Sequence, residues 1–61
     1  MNYTFDIFKR LQNGDSFWIA AVRGFAEAIA RIDRLARIVP GDYLIYLQGE
    51  GVIAERVTGR W

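Results

Sequence analysis

Few side chains in this sequence can do acid–base or nucleophilic chemistry. They are four Asp, three Glu, Lys9, Ser16, Thr4 and Thr58; neither His nor Cys occurs. Proton transfer near neutral pH needs His, or a carboxylate or Lys tuned by its surroundings. Asp6 and Glu55 can share one sheet face, but no spacing makes them a catalytic pair. Ser16 and the two threonines have no His to activate them. Without Cys there is no disulfide framework and no thiolate zinc site, and the acidic residues are too scattered for a calcium loop. Gly49-Glu50-Gly51 is not a phosphate loop, because no Gly-Lys-Ser/Thr follows and no helix begins there. This inventory predicts a non-enzyme with no cofactor and no metal.

Binding chemistry is better represented. Seven of the eight cations are Arg, which suits bidentate contacts to carboxylate or phosphate, and the chain holds nine aromatics. Arg10, Arg31 and Arg34, with the sheet aromatics Phe8, Phe17 and Tyr46, are the candidates for weak stacking on single-stranded nucleic acid. Against that, the net charge is only +1. A near-neutral chain binds phosphate polymers weakly at physiological salt, so nucleic acid ranks below a protein partner. The longest apolar run is Phe17 to Val22, too short to span a membrane. The N-terminus lacks the basic-then-apolar order of a signal peptide. A cytoplasmic protein without membrane contact is therefore expected.

Residues 3–11, YTFDIFKRL, place Tyr3, Phe5, Ile7, Lys9 and Leu11 on one face at period two, the mark of a strand. Asn13-Gly14 follows, a strong hairpin signal, and 16–22, SFWIAAV, returns. Taking Asn13-Gly14 as a two-residue loop pairs Gln12 with Asp15, Lys9 with Trp18, Ile7 with Ala20 and Phe5 with Val22. From residue 23 the period changes to about 100° per residue. Val22, Phe25, Ala28, Ile29, Ile32, Leu35 and Ala36 form an apolar stripe opposite Arg23, Glu27, Arg31, Arg34 and Arg37. Glu27–Arg31 and Asp33–Arg37 are spaced for ion pairing, and Gly24 lies at the helix start. Pro40-Gly41 stops the helix. Residues 42–48 and 52–57 are two further strand-like runs around Gly49-Glu50-Gly51. A rival reading starts a long helix at Ser16 with Asp15 as its cap, giving βαββ.

The expected architecture is an α+β domain of order ββαββ over residues 1–57, followed by a tail, 58–61. It is one four-stranded sheet with a helix across one face. In its element lengths the chain resembles β-grasp domains such as the immunoglobulin-binding domains of protein G. That likeness implies two terminal strands lying parallel in the centre of the sheet, and it carries no binding function. In sequence, Trp18, Ala28, Arg31-Ile32, Leu35, Pro40-Gly41, Tyr43 and Ile45 resemble a group of short bacterial proteins of unknown function, over about Trp18 to Ala54.

The strands hold more apolar residues than one helix can cover. Phe5, Ile7, Leu11, Trp18, Ala20 and Val22 are assigned to the helix side of the first hairpin. Thr4, Asp6, Phe8, Arg10, Phe17, Ile19 and Ala21 are then left outside. In the second hairpin Tyr43, Ile45, Leu47, Val52 and Ala54 point in; Leu44, Tyr46, Ile53 and Val57 point out with Glu55. Core positions are Phe5, Ile7, Trp18, Phe25, Ile29 and Ile32. A large contiguous apolar patch marks an interface. Phe8, Phe17, Ile19, Leu44 and Tyr46 are therefore the candidate contact residues of a self-associating interaction module, most simply a homodimer. An unidentified protein partner, or an extended peptide added to an edge strand, is the other protein-binding possibility.

Overall fold

Two hairpins flank a single helix in the computed structural model, which describes residues 3–57. The elements are β1 (Thr4–Arg10), β2 (Ser16–Arg23), α1 (Phe25–Ile38), β3 (Asp42–Leu47) and β4 (Gly51–Val57). They form an α+β fold with one four-stranded antiparallel sheet, ordered β2-β1-β3-β4, and α1 on one face. Ser16–Arg23 is a strand, so the long helix from Ser16 does not form. The tail 58–61, including Trp61, lies outside the described residues. No helix among the described residues is long and apolar enough to cross a membrane.

The sheet departs from β-grasp order. β3, not β4, lies beside β1, and the two run antiparallel, so the terminal strands are not parallel neighbours. The residue types explain the placement. Tyr43, Leu44 and Ile45 of β3 are all buried, as consecutive apolar residues on a central strand should be. β4 carries Glu55-Arg56 and starts at a glycine, which suits a solvated edge. From α1, only Val39, Pro40 and Gly41 separate the helix from β3. That link delivers the chain to the vacant edge of β1.

α1 begins at Gly24, whose φ of 92° and ψ of 136° favour glycine. Its N–H donates to the Tyr3 carbonyl at 2.8 Å, tying the helix start to the start of β1. At the other end the Val39 N–H donates to the Leu35 carbonyl, 2.8 Å away. The Tyr43 hydroxyl donates to the Val39 carbonyl, and burial pushes this phenol above its ordinary pKa. The core joins Phe5, Ile7, Tyr43 and Ile45 of the sheet to Ala28 and Ile32 of the helix, with Ile29, Leu35 and Ala36 packed against them. Asp33 turns to the sheet, where Arg56 Nε lies 2.9 Å from its Oδ1, and not along the helix to Arg37. Phe25, expected in the core, is 46% exposed and sets its ring edge-on to Phe5.

The first hairpin turns through three residues. Gly14 has φ 93°, and among the described residues none other than glycine has positive φ, so Asn13 cannot take the first place of a type I′ turn. The Gly14 N–H donates to the Leu11 carbonyl (3.0 Å), and the Leu11 N–H donates to the Asp15 carbonyl (2.7 Å). Asn13 Oδ1 accepts from the Asp15 N–H at 2.9 Å. Arg10 therefore pairs with Ser16, Lys9 with Phe17 and Phe8 with Trp18. Ile19 is then an extra residue, and its bulge restores the expected pairs Ile7–Ala20 and Phe5–Val22. A second bulge at Ile53 lies between the pairs Ile45–Ala54 and Tyr46–Val52.

Candidate interaction surface

Cross-strand partners share a face, so the registers assign each paired strand residue to a side of the sheet. On the helix side lie three rows: Phe17–Lys9–Tyr43–Arg56, Ala20–Ile7–Ile45–Ala54 and Val22–Phe5–Leu47–Gly51. The opposite face also has three full rows. The middle one is Trp18–Phe8–Leu44–Glu55, flanked by Ser16–Arg10–Asp42–Val57 and Ala21–Asp6–Tyr46–Val52. No element among the described residues lies on this second face.

Its middle row is apolar across three strands. Phe8 sets its ring against Tyr46, centroids 5.9 Å apart at 77°, the edge-to-face geometry aromatic pairs prefer. Leu44 is only 4% exposed although no helix covers it. Its cross-strand neighbours in the row are Phe8 and Glu55. Trp18 at one end is 53% exposed, and Val52 in the adjoining row is 56% exposed. The Trp18 indole N–H donates to Asp6 Oδ1 at 3.1 Å. That bond uses the polar end of the ring and leaves its apolar surface in water.

Charges border this surface. Arg10 Nε lies 3.3 Å from Asp42 Oδ2, and its Nη2 lies 3.9 Å from Glu55 Oε2. Asp42 Oδ1 is buried and accepts no hydrogen bond among the described residues. The neighbouring Glu55 carboxyl can donate to Asp42 only when protonated. That bond, together with the charge of Asp42, holds Glu55 above the ordinary carboxylate range, while Arg10 pulls the other way. The surface has no pocket, and among the described residues no group of three metal-ligating side chains occurs.

Of the five expected contact residues, Phe8, Leu44 and Tyr46 lie on this open face. Phe17 and Ile19 do not. Phe17 pairs with Lys9 and belongs to the helix side, where it is 59% exposed near the sheet end. Ile19, at the bulge, packs against the core cluster. Trp18, expected in the core, takes Phe17's place outside, and Val52 is also outside rather than in. One cause underlies the first-hairpin exchange: a loop one residue longer flips every side chain up to the bulge. Gln12-Asn13-Gly14 was the available signal, since an αL glycine at the third place of a three-residue loop is as regular a hairpin as Asn-Gly. Val52 moved for the same reason, through the Ile53 bulge. Leu11, at the turn, is exposed.

The nucleic-acid candidates do not form one surface. Arg10 is on the open face, whereas Arg31 and Arg34 are on α1, across the sheet. The two free edges are β2 and β4. Comparison with protein-family models, with curated proteins and with solved structures finds no match to this chain.

Proposed function

We propose that this chain is a non-catalytic interaction module whose open sheet face binds a second copy of itself. The observation that carries the reading is the apolar row Trp18–Phe8–Leu44 on the face that α1 does not cover, ending in the exposed Trp18, with half-buried Tyr46 and exposed Val52 beside it. A sheet with one wet face normally alternates apolar and polar residues; this one keeps its largest aromatic on the wet side. Burial of such a patch is the usual driving force for association. A twofold pair lets one self-complementary surface cover itself, with no further component. The size of the chain supports the same reading, because domains near this length bury only about 60% of their unfolded surface and gain stability from association.

The test is light scattering after size exclusion, over a hundredfold range of concentration at low and high salt. The expected mass at high concentration is twice the 7.0 kDa of the chain. An apolar interface should survive high salt. A mass that stays at one chain throughout refutes the proposal.

A further inference from the structure

Charge and shape on the open face also select how the two copies stack, an inference that rests on the self-association proposed above. We infer that the twofold axis runs along the middle row, so that β1 lies antiparallel on β1 of the second copy. About this axis the row Trp18–Phe8–Leu44 falls on itself, apolar on apolar. The two flanking rows exchange places. Arg10 of each copy then lies over Asp6 of the other, Asp42 over Tyr46, Val57 over Val52, and Ser16 over Ala21. Asp6 uses one oxygen to accept from Trp18, and a carboxylate accepts at both. Arg10 already reaches Asp42 and Glu55, and a guanidinium carries five donor hydrogens. The two cross-copy Arg10–Asp6 pairs are therefore chemically open at both ends.

A twofold along the strands is the competing arrangement. It stacks β2 on β4, placing the Trp18 ring over Glu55 and Arg10 over Asp42 of the second copy. That buries a carboxylate under an apolar ring at each end. It also asks Arg10 to pair with an acid whose Oδ2 is engaged and whose Oδ1 is already enclosed. The first arrangement sets Glu55 against Glu55 only at the exposed edge strand β4, and its Asp42–Tyr46 contact has a counterpart in the second, where Asp6 lies over Tyr46. Strand spacings of about 4.8 Å and a rise of about 3.3 Å per residue make each face roughly 19 by 23 Å. Stacking two such faces buries about 900 Å² in plan, before side-chain relief is counted. That places the pair at the small end of specific interfaces, where orientation depends on polar complementarity.

Thiol cross-linking distinguishes the two, and the chain has no native Cys to interfere. Ser16→Cys and Ala21→Cys are small changes on the open face. A short bis-maleimide spans the gap of about 10 Å between packed sheets. The expected result is a cross-linked pair when the two variants are mixed, and at most a trace with either variant alone. A Ser16→Cys and Val57→Cys mixture should not cross-link. Efficient linking of Ser16→Cys to Val57→Cys, or of either small variant to itself, overturns the proposed axis. Circular dichroism checks that each variant is folded, and scattering is run on the same samples. A twofold mass with the wrong cross-link sinks the axis and leaves the dimer standing, whereas a single-chain mass removes both.

Discussion

Trp18 and Phe17 are adjacent, aromatic and about equally exposed, yet they sit on opposite faces of the sheet. Replacing each in turn by Lys therefore tests the open face against a matched control. A tryptophan side chain offers up to about 250 Å². With 53% exposed, about 130 Å² of Trp18 is left to bury in a dimer. At about 25 cal/mol per Å² this is about 3 kcal/mol per copy, or about 6 kcal/mol for the symmetric pair. Ordering and imperfect fit reduce that ceiling. If half survives, Trp18→Lys weakens the dimer at least about 100-fold. The fold itself loses little, because Trp18 lies outside the core and its bond to Asp6 is worth about 1 kcal/mol. Phe17→Lys changes the same bulk and charge on the helix side and should leave the dissociation constant within a few fold. Sedimentation equilibrium gives both constants, and circular dichroism verifies the fold. Equal weakening by the two variants would refute the face assignment, as would an unchanged mass for Trp18→Lys.

Three further outcomes follow from the geometry. Ile32→Ala empties a fully buried site between helix and sheet and should cost about 2–5 kcal/mol, most of the stability of a domain this small; urea unfolding should show Ile38→Ala, at an 81% exposed position, losing less than about 0.5 kcal/mol. Gly24→Ala meets no steric obstacle, so its loss of about 1–3 kcal/mol should come from the positive φ alone, and an unchanged melting curve would contradict the helix start described here. Glu55 titrates above the ordinary carboxylate range in the folded chain; a raised pKa means folding takes up a proton there, so that contribution to folding stability is full below the unfolded pKa and is lost as pH rises through the folded value. Stability to urea should thus fall as pH rises through the raised Glu55 range, the change should flatten in Glu55→Gln, and a wild-type profile that Glu55→Gln leaves untouched would show that another group governs it.

The element order, the helix limits and most of the core were legible in the residues alone. Period two in YTFDIFKRL, period 3.6 from Val22 to Ala36 and the Pro40-Gly41 stop are local signals, and local backbone preferences agree with them. The excess of apolar strand residues over what one helix can cover was equally visible, because it depends on composition and alternation rather than on pairing. Three things were decided only by tertiary structure. The place of β3 beside β1 depends on which edge the helix delivers the chain to, and β-grasp order has the same local sequence signals. The exchange of Trp18 for Phe17 on the open face turns on one loop residue, and side-chain alternation amplifies that single step into a reversal of faces. The convergence of Arg10, Asp42 and Glu55, from three strands, exists only once register is set. Sequence sets how much apolar surface this chain must bury; strand pairing decides which residues present it, because a strand's inner and outer faces differ by one position along the chain.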